Sequence, residues 1–314
     1  MMEPMSISNA LPKSDVILAV AKLLNIDPYF VEKDWYITQI INTIAGTSHE
    51  DFKLIFSGGT ALSKAHRLIR RFSEDIDFRV ITPESAASRK SLSKFKHAVL
   101  ESLRKSGFEI HEHQVRARDE NRFFSVDLDY KTNFPPSIAL RPHIQIEVAF
   151  QEVQLPPVDL PVSSFVAELT NQPPEVERIA CLVPAENAAD KLSALAWRIP
   201  DRIRGNQYDD PSIVRHIHDL AILKDIATAH ADFHNLVVSS MRRDDKRPKN
   251  NPSFADLPMQ EKFGKMFSIL ADDMEYPKEY ERFVQGTSYA PEGSVLDFKA
   301  AVETVKQLVE ASVS

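Results

Sequence analysis

Asp75 and Asp77 stand two residues apart in Asp75-Ile-Asp-Phe-Arg-Val-Ile81, where acidic and apolar residues alternate. On a strand, that spacing turns both carboxylates to one face. Side by side they repel: at an effective dielectric of 20 and a separation of about 4 Å the cost is on the order of 4 kcal/mol, a large fraction of a domain's stability. A divalent cation would offset it. Hard carboxylate oxygens suit Mg²⁺ or Mn²⁺ bridging to a triphosphate, not zinc, which prefers nitrogen and sulfur. An Asp-x-Asp alone is common on solvated strand faces, but here Ser57-Gly58-Gly59-Thr60 lies upstream, and it uses two of only eight glycines in 314 residues. Glycines there would let backbone N–H groups approach an anion, and a helix beginning near Thr60 would add its positive dipole end. The hydroxyls of Ser57 and Thr60 could bond phosphate oxygens. The bland alternative is a tight turn with Thr60 as a helix cap.

The elements around these residues follow from periodicity. Val16–Leu24 and Phe30–Ile44 carry apolar residues at helical spacing on either side of an Asp27-Pro28 turn. Lys53–Phe56 reads as a short strand, then the glycine turn, then a helix over Ala61–Ile69, then the Asp75–Ile81 strand closed by Pro83. Ser91–Lys105 reads as an amphipathic helix; Phe108–Glu112, Phe123–Tyr130 and His143–Phe150 are further strand candidates. The prolines at 156, 157, 161, 173 and 174 mark a boundary or wrapping linker. Beyond Pro184 the pattern is helical over Ala185–Trp197, Ser212–Thr228, Pro258–Met274 and Asp297–Ala311, with a polar, basic loop over Arg242–Ser253. The expected fold is α+β: a mixed sheet with flanking helices and N-terminal helices over 1–182, then a helical domain over 183–314 that closes the active-site cleft.

Bulk composition narrows the function classes. The 43% hydrophobic content can bury a sizeable core. No run of about 18 apolar residues occurs and Met1–Lys13 lacks a signal-peptide pattern, so the expectation is a cytoplasmic protein with no membrane partner. The single cysteine, Cys181, excludes an internal disulfide and a one-chain thiolate metal cluster. A net charge of -7 gives no long-range pull on nucleic acid, so any RNA contact must be local. Two basic clusters offer that: Lys64, Arg67, Arg70 and Arg71 beside the acidic motif, and Arg242, Arg243, Lys246, Arg247 and Lys249. Arg71 directly precedes the acidic motif, and Lys64 and Arg67 would share a helical face; all three, Arg71 foremost, could touch triphosphate or RNA, or pair with nearby acids. Ser73, two residues before Asp75, is placed near the phosphates, where a phosphate on its hydroxyl would repel a nucleotide. The pairs His111/His113 and His216/His218 are weak metal-site candidates; alternate residues on a helix do not face one another, so His216 and His218 cannot easily share a metal.

Phe56-Ser-Gly-Gly-Thr-Ala-Leu62 and Arg71-Phe-Ser-Glu-Asp-Ile-Asp-Phe78 closely resemble the AbiEii/AbiGii nucleotidyltransferase toxins of the polymerase-beta-like superfamily. The resemblance extends to Val31-Glu-Lys-Asp-Trp-Tyr36, to Ala185–Leu195 with its lysine, and to Arg215-His-Ile-His-Asp-Leu220; the C-terminal third carries no specific motif. It implies transfer of a nucleoside monophosphate from an NTP, with pyrophosphate leaving, to an RNA acceptor, tRNA foremost. Two metals hold the reacting oxygens in such chemistry, and carboxylates on strands hold the metals. A third carboxylate completes the set: Glu147 in His143–Phe150 is the first candidate, with Asp127 and Asp129 behind it, as metal ligand or general base. The resemblance also places Lys191 and Asp219 in the active site. Lys191 would neutralise charge on the leaving pyrophosphate, and Asp219 would hold Lys191 or bind the nucleotide side. Outside the resemblance, Lys191 reads as a solvated helix lysine and Asp219 as the i+4 partner of Arg215.

The expected protein is therefore a Mg²⁺-dependent nucleotidyltransferase, toxin-like, restrained by a cognate antitoxin and linked to phage defence. One alternative is transfer to a small-molecule or protein hydroxyl. The other is a non-catalytic nucleotide-binding regulator, against which the intact Asp75, Asp77 and Gly58-Gly59 argue.

Overall fold

The computed structural model describes residues 10–47, 51–83 and 88–313. The chain divides into two compact units, one of residues 1–67 and 72–182, the other of 68–71 and 183–314.

The first unit opens with helices α1 (Ser14–Leu24) and α2 (Pro28–Ala45), the second started by Pro28 and capped by the Asp27 carboxylate, which accepts from Tyr29 N at 2.8 Å. Among the described residues seven strands follow: β1 (Lys53–Ser57), β2 (Asp75–Ile81), β3 (Val115–Arg118), β4 (Phe123–Asp129), β5 (His143–Phe150), β6 (Val158–Val162) and β7 (Val176–Cys181). They form one mixed sheet in the order β3-β4-β5-β2-β1-β7-β6, with β2/β5 and β1/β7 parallel and the other neighbours antiparallel. Helix α4 (Arg89–Lys105) packs against α2, and the turn α3 (Gly58–Thr60) lies between β1 and β2 in sequence. Ile76, Phe78 and Val80 bury one face of β2, as Ile144, Ile146 and Val148 do on β5. Period-two alternation then leaves Asp75, Asp77 and Glu147 on the other, half-buried face. The expected α+β class, a mixed sheet with flanking helices and C-terminal helices after it, is the one found.

Several expected elements differ. The helix over Ala61–Ile69 is cut short: α3 continues as a π turn over Ala61–Ala65, and Arg67 at φ 55° is left-handed, which a right-handed helix cannot accommodate. The strand at Phe108–Glu112 is absent; the side chain of Gln114 accepts from His111 N and stabilises a helical turn, so the strand begins at Val115. The proline-rich stretch is not a linker, because β6 and the short helix α5 (Phe165–Leu169) lie within it and β7 follows directly after it. Its strand β6 is the sheet edge, where proline is tolerated, and the register shifts between Leu160 and Val162, at Pro161.

The second unit is helical: α6 (Pro184–Asp201), α7 (Arg215–Thr228), α8 (Phe233–Asp244), α9 (Met259–Asp272), α10 (Glu275–Thr287) and α11 (Phe298–Val313). Helix α6 packs on α7, α8 and α9, and α11 on α7 and α8. Helix α8 takes in Arg242 and Arg243, expected in a mobile loop, and α10 had no counterpart in the sequence reading. Bidentate pairing of the Arg202 guanidinium with Glu279, each bond 2.7 Å, ties the segment after α6 to α10.

Candidate active site

Ser57 ends β1 opposite Asp77 in the antiparallel register, and the chain turns at Gly58 with φ +74°. A Cβ at Gly58 would lie 2.0 Å from Asp77 Oδ2, so the Asp77 carboxylate occupies the space that only glycine leaves. The turn is fastened to β2: Ser57 Oγ donates to the Asp77 carbonyl at 3.2 Å and Thr60 Oγ1 donates to the Asp75 carbonyl. Without a nucleotide, both hydroxyls hydrogen-bond to backbone carbonyls of β2. Neither hydroxyl caps the turn, and the helix expected to supply a strong dipole at Thr60 is a few residues long.

Asp77 and Glu147 are partners in the parallel β2/β5 register, so their side chains leave the sheet on one face, about 4.8 Å apart at the backbone. Asp75 lies one step along the same face, opposite Gln145. Asp127 and Asp129 sit on β4, one strand further away. Asp127 pairs with Arg116 and accepts from Gln145 at 3.1 Å, and Asp129 accepts from Gln114 at 2.9 Å. By register, Glu147 is the carboxylate beside Asp77. Asp75 is not left to a metal alone, because Arg141 NH2 donates to its Oδ1. Its Oδ2 accepts no hydrogen bond among the described residues, and the side chain is 24% exposed.

These donors fit Mg²⁺ or Mn²⁺: all are hard oxygens, and Asp75 keeps an unpartnered one. Among the described residues no three His, Cys, Asp or Glu side chains converge into a ready-made metal cage. Magnesium does not require one, since it binds through one or two carboxylates together with water and substrate phosphates.

Behind this face lies a support that the sequence did not reveal. Glu74 accepts from Lys33 Nζ at 2.5 Å, from Arg141 N at 3.0 Å and from Arg141 Nε at 3.2 Å. Lys33 also donates to the Arg141 carbonyl at 2.7 Å, and Arg141 NH1 donates to Gln145 at 2.8 Å. Burial pulls the Lys33 ammonium below its ordinary value, against the opposing pull of Glu74. The neighbours of Lys33 are spent in the same way: Glu32 accepts from Thr132 and Asn133, and Asp34 from Lys64 and Phe165 N. The Val31–Tyr36 motif therefore braces the β4–β5 loop and α5 from inside. Its acidic and basic residues were the available signal, but their partners lie 30 to 131 residues away.

The second unit holds a different cluster. Asp219, 0% exposed, accepts from Arg71 Nε and NH2, both at 2.7 Å, and pairs with Lys191 Nζ at 2.8 Å and His218 Nδ1 at 3.3 Å. Burial alone would raise its pKa; Arg71 and Lys191 outweigh that and hold the carboxyl well below the usual range. Lys191, 8% exposed, is pulled below the ordinary lysine value by burial and by Arg71, with Asp219 opposing. Two cations share one carboxylate, so the anion is over-satisfied while Lys191 still carries burial cost. The solvated-lysine reading fails, and so does the Arg215–Asp219 pair: Arg215 instead reaches Ser212 at 2.7 Å.

Of the remaining expectations, Ser73 precedes β2 and is half-buried. Lys64 and Arg67 do not share a helical face; Lys64 pairs with Asp34 and Arg67 with Glu168 at 3.0 Å. In the second basic cluster Arg243 is bound to Asp190 and Arg247 to Asp244. His216 and His218 have separate surroundings, the His216 imidazole being held well below its usual range by burial and by Lys191 and Arg215. Cys181 is buried, its thiol pushed up to about 12 by desolvation. No described helix is long and apolar enough to cross a membrane.

With this geometry in place, the family described as nucleotidyl transferase AbiEii toxin, type IV toxin–antitoxin system, matches residues 41–304. The chain belongs to that family. It is accordingly an AbiEii-type nucleotidyltransferase toxin, a class that acts on an NTP and is paired with an antitoxin. The AbiEii match takes in the C-terminal third, where no motif stood out, and begins after Val31–Tyr36. Among solved structures, MenT4, a nucleotidyltransferase toxin from Mycobacterium tuberculosis, is similar at 16% identity and TM-score 0.47, covering 93% of this chain and 98% of its own. The CD-NTase CdnG from Bradyrhizobium diazoefficiens, solved in complex with GTP, is similar at 11% identity and TM-score 0.28, covering 98% and 100%. No curated protein matches.

Proposed function

We propose that this AbiEii-family chain transfers a nucleoside monophosphate from an NTP to a hydroxyl of an RNA, tRNA foremost, and releases pyrophosphate. The observation that carries the reading is the seating of the Asp77 carboxylate against Gly58, which brings acidic ligands and an anion-tolerant turn to one place. Asp75, Asp77 and Glu147 would hold Mg²⁺ or Mn²⁺, which supplies charge neutralisation and alignment of the attacking and leaving oxygens. The backbone of Ser57–Thr60 receives the triphosphate, and Glu147 takes the proton of the acceptor hydroxyl or completes the metal ligands. Lys191, oriented by Asp219 and backed by Arg71, neutralises negative charge on the departing pyrophosphate. A buried group of two cations and one anion favours such an anionic ligand. The two expected parts, a catalytic domain to residue 182 and a helical domain after it, are kept as part of this reading, as is restraint by an antitoxin in the cytoplasm.

Incubating the protein with each labelled NTP, Mg²⁺ and total RNA tests the reading. One RNA class is expected to be labelled, and Asp75→Asn or Asp77→Asn to abolish labelling. Label on a small molecule or a protein would move the acceptor class; no transfer with any NTP would leave a nucleotide-binding regulator.

A further inference from the structure

We propose that Arg141 is a positioning residue that sets the rotamer of Asp75, holding one carboxylate oxygen so that the other is presented to the metal. The inference rests on the reading of Asp75 as a metal ligand.

Arg141 stands near the end of the long β4–β5 connection, two residues before β5 begins at His143. Its guanidinium is held on three sides: Nε by Glu74, NH1 by Gln145 and NH2 by Asp75. Its backbone is fixed as well, the N–H by Glu74 and the carbonyl by the buried ammonium of Lys33. Tyr29 Oη approaches the same carbonyl at 3.4 Å. An ordinary surface arginine has no such frame, and loose ion pairs at surfaces order little. A planar fork bound at each nitrogen cannot follow Asp75 if that carboxylate turns, so Asp75 must conform to Arg141.

The frame leaves one atom over. Arg141 engages Oδ1 of Asp75, while Oδ2 has no partner among the described residues. The fixed positive charge also relieves repulsion between Asp75 and Asp77, which share one strand face. Outer partners that orient a ligating carboxylate in this way typically govern metal affinity by roughly 10- to 100-fold. Lysine could keep the charge but not the fork, since it offers one point of attachment where Arg141 uses three.

Mn²⁺ titration of the full-length protein, followed by the loss of the free-ion electron paramagnetic resonance signal, tests the assignment without relying on turnover. Arg141→Gln is expected to weaken Mn²⁺ binding by roughly 10- to 100-fold and Arg141→Lys to recover part of it. Mn²⁺ affinity equal to or tighter than wild type in Arg141→Gln would overturn the proposal, because that is the behaviour of a guanidinium that merely competes with the metal. Should Arg141→Gln not fold, Arg141→Lys decides alone: wild-type affinity there overturns the need for the fork, and weakened affinity upholds it. A wild-type protein that binds no Mn²⁺, with or without nucleotide, would instead remove the metal reading of Asp75 and leave Arg141 as a structural clamp.

Discussion

The carboxylate face of the first unit and the Asp219 cluster of the second solve opposite electrostatic problems. On the sheet, Asp75, Asp77 and Glu147 crowd negative charge on a half-solvated surface, with Arg141, itself 36% exposed, as counter-charge to Asp75. In the helices, Arg71 and Lys191 converge on a fully buried Asp219. Repulsion on the open face is moderated by water, and the excess charge there is negative, suited to a cation. Repulsion in the buried cluster is not moderated, and the excess is positive, suited to an anion. Charge excess sets what each region can receive, whereas burial sets how much stability depends on each carboxylate.

Neutralising a carboxylate in each region gives the largest contrast. Asp219→Asn leaves two buried cations facing an amide, and chemical denaturation should show a loss of about 3–5 kcal/mol. Asp75→Asn removes a half-exposed pair partly screened by water and should cost only about 1 kcal/mol. Equal losses would break the comparison. The same contrast is visible in pH: because the folded-state pKa of Asp219 lies below its unfolded value, its contribution is fully present above about pH 4 and is lost as pH falls below that. Unfolding midpoints followed downward from neutral pH should therefore drop below about pH 4 in wild type and drop less in Asp219→Asn.

Next in size, Lys191→Ala should lower kcat for transfer by about 10²- to 10³-fold, the usual cost of removing a preorganised charge from a transition state. Steady-state kinetics showing a change in KM alone would make Lys191 a binding residue only. Gly58→Ala should cost about 10²-fold in kcat/KM, because the new Cβ must displace the Asp77 carboxylate. Activity within a few-fold of wild type would mean that Asp77 can move without consequence. Smallest, Thr60→Val removes one hydrogen bond to the Asp75 carbonyl and should destabilise by about 1 kcal/mol while leaving NTP affinity within about twofold. A large loss of NTP affinity would show that the hydroxyl meets phosphate after all.

These residues also show what a sequence can disclose. Asp75–Ile81 and His143–Phe150 were legible end to end, since strict alternation fixes both the strand and its chemical face. The glycine turn was legible because glycine is scarce elsewhere in the chain. What lay hidden depends on distant partners. Nothing local says that Lys33 reaches Glu74, 41 residues on, or that Arg141 reaches Asp75, 66 residues back. Strand β6 was hidden for another reason: prolines read as breakers, while an edge strand tolerates them. The short turn after Thr60 depended on the left-handed backbone at Arg67, a conformation that arginine does not announce.

The claim on which the rest depends is that Asp75 and Asp77 hold a divalent cation against a triphosphate seated at the Gly58 turn. Crystals grown with Mn²⁺ and a non-hydrolysable NTP analogue, measured at the manganese edge, test it directly. The account predicts an anomalous peak ligated by both aspartates and by phosphate oxygens of a triphosphate lying on the Ser57–Thr60 backbone. A manganese–nucleotide complex bound elsewhere, with Asp75 and Asp77 contacting neither ion nor phosphate, would contradict it.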